Sequence, residues 1–472
     1  MTLQDHRATI AALQARLGTA VLVGDAIPVR NTNDWSPQGP VTPLALIRPA
    51  DTQEVAAAMR ICHAGGLGVV PQGGLTGLCG GARPIADAVA LSLERMVGVT
   101  EIDPHAGTLT VRAGTPLEQV QRAADDAGFF FPLDLGARGS CTIGGNLSTN
   151  AGGNRVLRYG MARELTLGLE VVLPDGSIVT SLNKMLKNNA GYDLKHLFIG
   201  SEGTLGIITQ AVLRLMPKPN CTMVAMCALD DYDGVLELLA SARRELGPML
   251  SAFEVMWPDY WHAATRKVSG VRDPFETANA RGHGRDDAIH VLVEALGSDA
   301  EHDPPRFEGW LARDLEAGVV PNAVVAQSLA EAAALWAVRD ACSEFVQVLG
   351  PHLPFDVGLP TARMDDYAER CRQALQAGVP GCESMYYGHV ADGNLHLVAW
   401  VPGAAEQPKQ AIEEIVYGLV RSFDGSVSAE HGIGTLKKPW LAHARSPEEI
   451  ALMQVLKQAL DPQGVLNPGR VV

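Results

Sequence analysis

His389 and His396 flank an Ala-Asp-Gly turn in the run Ser384-Met-Tyr-Tyr-Gly-His-Val-Ala-Asp-Gly-Asn-Leu-His-Leu-Val-Ala-Trp400. The run reads as two strands joined at Asp392-Gly393, and such a hairpin can bring both imidazoles to one side. Their spacing is neither that of a zinc finger nor that of HExxH, so satisfied core or surface histidines stand beside a metal pair as readings. Glu430, in Ser428-Ala-Glu-His-Gly-Ile-Gly434, is a third candidate ligand. Two imidazoles and a carboxylate suit Zn²⁺ or a similar divalent ion with one position left open for substrate. Gly432 and Gly434 keep the neighbouring backbone slim.

A different chemistry lies in three glycine-rich loops. The first is Pro71-Gln-Gly-Gly-Leu-Thr-Gly-Leu-Cys-Gly-Gly81. The second runs from Gly139 to Gly153 as Gly-Ser-Cys-Thr-Ile-Gly-Gly-Asn-Leu-Ser-Thr-Asn-Ala-Gly-Gly, and the third is Gly200-Ser-Glu-Gly-Thr-Leu-Gly-Ile207. Glycine admits positive φ and close approach of backbone N–H groups to an anion, so a loop of this kind after a strand suits a diphosphate. None is the GxGxxG of a nicotinamide fold or the GxxxxGK[ST] of a P-loop. Three such loops in one half of a chain are costly as mere connectors. Together they suggest an extended ligand lying across a domain.

The elements that must position these residues alternate in the first half. LALIRP and GVVPQGG read as strands, and TQEVAAAMRICHAGG as a helix ended by glycine. VGVTEID-PHAG-TLTVRAG and LTLGLEVVL-PDG-SIVTS read as hairpins, the second turning at Asp175-Gly176, with PLEQVQRAADDAG as a capped amphipathic helix between them. Beyond Lys218-Pro219-Asn220 glycine thins and helical Ala/Leu/Glu segments appear, such as DGVLELLASARRELG and SLAEAAALWAVRDACSEFVQVL. The expected division is a cofactor domain over 1–217, a substrate and metal domain over 218–455, and a C-terminal segment, 456–472, that returns to the first. Residues from about 265 to 287 read as an exposed loop.

Composition sets the outer limits. A chain of 472 residues has room for two domains. Its formal charge of -15 excludes a nucleic-acid footprint and gives little attraction to anionic lipid. The N-terminus lacks a signal peptide's apolar centre, and no run approaches the ~20 apolar residues of a membrane span. Eight cysteines occur without a CxxC pair, which reads as reduced thiols of a cytoplasmic protein and removes an iron–sulfur cluster.

The ordered series PQGGLTGLCGG, DLGARGSCTIGGNLSTNAGG, NNAGYDLKHLFIGSEGTLGIIT, GHVADGNLHL, SAEHGIGTLK and LNPGR resembles the vanillyl-alcohol-oxidase-type flavoproteins. More narrowly it resembles their D-lactate and D-2-hydroxyglutarate dehydrogenase branch, over nearly the whole chain from Asp34-Trp35 to Asn467-Pro-Gly. The resemblance implies an α+β fold: a two-lobed FAD-binding domain plus an α+β cap with an antiparallel sheet. It implies an FAD cradle of Pro71, Gly73, Gly74, Leu75, Thr76, Gly77, Leu78 and Pro132. Gly139, Ser140, Thr142, Gly144, Gly145, Asn146, Asn150, Gly152 and Gly153 would continue it. Glu202, Gly203, Gly206 and Ile207 would hold the adenosine side, with Asn467 beside them. Covalent members carry a histidine in the first loop where this chain has Gly-Gly-Leu-Thr, so non-covalent FAD is expected.

The resemblance also assigns His389, His396 and Glu430 to a divalent metal. A hydroxy acid chelating that ion would have a lowered hydroxyl pKa, and His431 is the candidate base for the proton. A third metal ligand or a structural histidine is the alternative for His431. Arg339, with Ser343 at i, i+4 on one helix, would grip a carboxylate, although an arginine on an Ala-rich helix is more often a solvated surface group. Asn394 and Lys438 join them as expected substrate contacts. The pattern departs at Pro354, where the hydroxyglutarate enzymes carry a lysine, and His352 or Lys438 is left as a replacement cation. The expected activity is oxidation of a D-2-hydroxy acid, D-2-hydroxyglutarate or D-lactate-like. Electrons would pass to an electron-transfer flavoprotein or a quinone, and a homodimer is the expected assembly. A transferase resembling alkyl-glycerone-phosphate synthase is the alternative.

Overall fold

The computed structural model describes residues 3–276 and 287–472, with side chains from His6 onward. The chain divides into two units, one of residues 1–153, 160–218 and 430–472, the other of 154–159 and 219–429. The segment that returns to the first unit thus starts at Glu430 and not at 456. The physical reason is a set of backbone bonds inside that unit. The Ile433 and Gly434 N–H groups donate to Glu202 at 2.6 and 2.8 Å, and those of Thr435 and Leu436 donate to the Cys79 carbonyl.

The first unit is α+β and carries two main sheets. Strands β1 (Val21–Leu22), β2 (Ala45–Ile47), β3 (Val69–Gln72) and β4 (Val89–Ser92) lie in the order β1-β2-β4-β3, with β2 and β3 both parallel to β4. Every residue of β2 and β4 is buried, as expected of parallel strands covered on both faces. The helix Thr52–Ala64 supplies the crossover; Asp51 caps its start by accepting from the Glu54 N–H, and Gly65 ends it.

The second sheet contains β5 (Val99–Asp103) and β6 (Thr108–Arg112), then β8 (Thr166–Val172), β9 (Ile178–Ser181) and β10 (Ile207–Arg214). Its order is β5-β6-β10-β8-β9, so β10 slots between the two predicted hairpins. A small ribbon pairs β7 (Phe129–Phe130) with β11 (Met216–Pro217). The helix Leu117–Asp126 lies where expected, but no side chain caps its start: Pro116 holds that place, and the Thr115 hydroxyl turns back to the Arg112 carbonyl.

Among the described residues the second unit is built on one antiparallel sheet of seven strands: β12 (Cys221–Leu229), β13 (Leu250–Met256), β14 (Ile289–Gly297), β15 (Asn322–Val325), β16 (Leu353–Gly358), β17 (Glu383–Gly388) and β18 (Asn394–Trp400). Their order is β15-β12-β14-β13-β17-β18-β16. All residues of β13, β14 and β18 are buried, so both faces of the sheet are covered. On one face Tyr260, Trp261, Leu335 and Val338, from the helices Pro258–Lys267 and Leu329–Asp340, pack on Met256, Leu292, Met385 and Val398. Removing that apolar surface from water supplies most of the drive that fixes the face.

Two expectations in this unit need correction. The helix predicted from Ser328 to Leu349 is not continuous: it ends at Asp340, a 3₁₀ turn spans Ala341–Glu344, and a short helix follows over Phe345–Leu349. The tighter turn breaks the i, i+4 alignment of Arg339 and Ser343. Of the loop expected at about 265 to 287, the helix Pro258–Lys267 takes the start, and residues 277–286 lie outside the described residues.

Candidate active site

In the first unit the three glycine loops are in contact with one another. Thr142 Oγ1 abuts Gly73, where an added Cβ would stand 2.7 Å from it. At Gly74 a Cβ would stand 2.2 Å from the Ser140 carbonyl oxygen and 2.7 Å from Cys141 Cα. The first and second loops therefore touch backbone to backbone. The third joins the second through Gly200 N–H to the Leu147 carbonyl and Glu202 N–H to that of Ser148. Asn467 closes the set: its Nδ2 donates to the carbonyls of Gly81 and Glu202, and its N–H to Val69. Gly144, Gly145 and Asn146 ride on the helix Ile143–Ser148, with Asn150, Gly152 and Gly153 just beyond it, and Ile207 opens β10.

What this cradle offers is backbone. Leu75, Asn150, Glu202 and Asn467 all have positive φ without being glycine, at 62°, 51°, 52° and 45°. Strained backbone of this kind gathers where a ligand is clasped. The N–H groups from Gly73 to Leu78 donate to no acceptor among the described residues. Thr142 Oγ1, Asn146 Nδ2 and Asn467 Oδ1 are buried and also without a partner there. Buried polar atoms are normally satisfied, so this set fits a polar, phosphate-bearing ligand such as FAD. Glu202 is committed otherwise: its carboxylate holds the Ile433 and Gly434 N–H groups, and burial pushes its carboxyl up against those bonds and the nearby Lys437.

Glu430 and His431 open the C-terminal segment of this unit, and the Gly153 N–H donates to Glu430 Oε1 at 2.8 Å. Lys438 Nζ donates to the carbonyl of Val472 at 2.6 Å, so its ammonium is engaged at the chain's end.

In the second unit the predicted residues meet on the helix-covered sheet face. His389 follows β17 and His396 lies in β18; their rings meet edge to face at a centroid distance of 5.3 Å, and each offers a nitrogen within 4.8 Å of the other's. Gly393 takes the left-handed conformation at the turn between them, as Asp392-Gly393 predicts. His389 Nδ1 is 2.6 Å from Glu254 Oε1, and Arg339 Nε donates to Glu254 Oε2, also at 2.6 Å. Arg339 Nη2 lies 3.3 Å from His389 Nε2, and its guanidinium carbon is 5.0 Å from the Tyr387 ring centre. Arg339 is thus a buried residue of the patch and not a solvated surface group.

Asp356 pairs with His396 across β16 and β18 and is fully buried. It accepts from Asn394 Nδ2, Ser428 Oγ and the Ala429 N–H, at 3.0, 3.1 and 3.1 Å. Asn394 keeps a second polar atom, Oδ1, buried without a partner among the described residues. Ser343 does not join the patch: it is exposed and its hydroxyl returns to the Asp340 carbonyl at 3.0 Å. His352 Nδ1 is 2.9 Å from the Gly350 carbonyl. Pro354 itself is exposed and pairs with Val398.

Sequence reading missed Glu254, Glu294 and Asp356. All three are nearly inaccessible to water, and Glu294 receives Arg155 Nε at 3.3 Å and Trp336 Nε1 at 3.2 Å. Each stands in an apolar strand, Leu-Ser-Ala-Phe-Glu-Val-Met for Glu254, and a lone acid in a buried strand was the available signal. Burial alone would raise the Glu254 carboxyl, but its contacts with His389 and Arg339 outweigh it and hold the group well below the usual carboxylate range.

A family model for the C-terminal domain of FAD-linked oxidases matches residues 218–471, and one for an FAD-binding domain matches 43–181. The chain belongs to this family of FAD-linked oxidases. Within it, the chain is 39% identical over 464 residues to a rice protein named as a probable mitochondrial D-2-hydroxyglutarate dehydrogenase, covering 98% of this chain and 81% of that one. It is 38% identical over 447 residues to a D-2-hydroxyglutarate dehydrogenase of Xanthomonas citri, covering 93% and 91%. Among solved structures, p-cresol methylhydroxylase with substrate bound shares the fold at a TM-score of 0.80 and 17% identity, over 100% of this chain and 97% of that one.

Proposed function

We propose that this protein oxidises a D-2-hydroxy acid to the 2-oxo acid, with non-covalent FAD in the first unit and a divalent ion, best Zn²⁺, on His389, His396 and Glu430. FAD, when bound, supplies the hydride-accepting chemistry that no side chain has. A bound divalent ion would supply a Lewis acid that acidifies the substrate hydroxyl.

The observation that carries the reading is the pairing of Arg339 with His389. A carboxylate-binding guanidinium and a ligand nitrogen stand 3.3 Å apart on one buried face. His389 has its other nitrogen on a carboxylate, the arrangement that fixes metal-binding histidines. Arg339 binds the substrate carboxylate, Asn394 Oδ1, buried without a partner among the described residues, accepts from a substrate polar group, and His431 takes the hydroxyl proton.

Pro354 stands where the hydroxyglutarate enzymes carry a lysine, so a second carboxylate finds no lysine at that position. The reading therefore favours D-2-hydroxy monocarboxylates over D-2-hydroxyglutarate. Electrons leave to a separate carrier, an electron-transfer flavoprotein or a quinone. The proposed compartment is the cytoplasm, in keeping with eight cysteines that form no disulfide. Among the described residues no helix is long and apolar enough to cross a membrane.

Metal analysis of the purified protein, followed by chelation and re-addition of Zn²⁺, tests the ion. Turnover of D-2-hydroxy acids should fall with the ion and return with it; turnover that ignores chelation removes the metal from the reading. His431→Asn should keep bound FAD but lose its reduction by substrate, and full activity would remove the base.

A further inference from the structure

Glu254 is an expensive residue for stability alone. It is 1% exposed in a strand whose every residue is buried. Exchanging a buried ion pair for well-packed apolar residues is often neutral or stabilising, so the fold does not call for an acid there. Its two oxygens are divided between two separate elements. Oε1 meets His389 Nδ1, at the end of β17, and Oε2 accepts Arg339 Nε, on the helix Leu329–Asp340.

The division fixes both partners. A guanidinium can only donate, so His389 Nε2, facing Arg339 Nη2, must be the nitrogen with the lone pair, and Nδ1 carries the proton. With Nε held by Glu254, the plane of Arg339 is set over the Tyr387 ring, and its Nη2 is aimed at His389. Tyr260 anchors the same arginine from behind by donating its hydroxyl to the Arg339 carbonyl.

We propose that Glu254 is a positioning residue that couples ion binding to carboxylate recognition: one carboxylate keeps the lone pair on His389 Nε2, which accepts from Arg339 until an ion displaces that N–H, and holds the Arg339 fork beside it. The proposal rests on the function proposed above. Its consequence is that the two capacities fail together. Glu254→Gln can give an oxygen to only one partner, and its amide N–H₂ toward His389 would move the imidazole proton to Nε2.

The first measurement needs no variant. ¹⁵N NMR of the histidine-labelled protein, with His389→Gln to assign the signal, should show His389 as the Nδ1–H tautomer; an Nε2–H tautomer overturns the proposal. In folded Glu254→Gln, Zn²⁺ affinity read by chelator competition should drop about 10–100-fold. The KM for a D-2-hydroxy acid should rise about tenfold or more in the same variant. Glu254→Asp, which keeps the charge, should restore Zn²⁺ affinity in part. Arg339→Ala should raise KM yet leave Zn²⁺ affinity within about threefold. Unchanged Zn²⁺ affinity in Glu254→Gln, or a KM that stays put, overturns the coupling. Failure of the wild type to take up Zn²⁺ refutes the proposed function instead, and the tautomer then decides the place of Glu254.

Discussion

Glu202 in the first unit and Glu254 in the second each accept two short bonds, yet they are held by opposite means. Glu202 is met by two backbone N–H groups, and burial still pushes its carboxyl up. Glu254 is met by Arg339 and His389, and its carboxyl is driven down. At Glu202 the two peptide N–H groups do not offset the lost hydration, whereas at Glu254 the facing imidazole and guanidinium together do. The same division runs through both units. The cradle grips with main chain, using glycines, positive φ and free N–H groups. The sheet patch grips with ionised side chains whose geometry only the surrounding packing can fix.

The largest expected effect tests the side-chain half of this contrast. Glu254→Ala would leave Arg339 buried without its partner and should cost about 3–5 kcal/mol in chemical denaturation. Glu254→Ala/Arg339→Ala should be more stable than Glu254→Ala alone, because no orphan charge remains; a double variant that is worse than the single breaks the account of the pair. FAD content should be untouched in both.

Gly74→Ala tests the backbone half. A Cβ there meets backbone atoms of Ser140 and Cys141 that cannot turn aside, at about 2–3 kcal/mol. The flavin-to-protein absorbance ratio should collapse in this variant, and a normal ratio would detach the loop contact from FAD binding.

Acid should sharpen the difference. Burial, followed by the repulsion of His262, pushes His290 down to about 3, so the folded second unit refuses a proton that the unfolded chain takes up below its ordinary value near 6.5. Stability is therefore full above that value and falls as the pH drops toward 3, by about 2 kcal/mol at pH ~5. His290→Phe, which can keep the stack on Trp261, should flatten the slope of denaturation midpoint against pH in that window. An unchanged slope would show that the ring titrates freely.

Ser343→Ala should do least. Its exposed hydroxyl serves only its own turn, so stability should move by less than about 0.5 kcal/mol and KM by less than about twofold. A large rise in KM would restore Ser343 to the substrate clamp.

The contrast also explains what was legible in the sequence. The cradle could be read because backbone chemistry writes itself locally: consecutive glycines after a strand announce a loop that must approach something closely. The β5–β6 and β8–β9 hairpins and the His389–His396 turn were legible for the same reason, each carried by a turn within one short segment. Glu254, Arg339 and His389 stand 85 and 50 residues apart, and nothing local joins them. Their meeting follows from a strand order that places β13 beside β17, which residue pattern alone does not dictate. Ser343 shows the converse limit. Helical spacing put it beside Arg339, but one turn of 3₁₀ geometry moved it to solvent.

The central claim is that a D-2-hydroxy acid delivers its electrons to FAD in this protein. Anaerobic titration of the FAD-bound protein with D- and L-2-hydroxy acids, followed by flavin absorbance, tests it most directly. The D-acids, monocarboxylates before D-2-hydroxyglutarate, should bleach the flavin while their L-enantiomers leave it yellow. A flavin that stays oxidised with every D-2-hydroxy acid, or that responds equally to both enantiomers, contradicts the account.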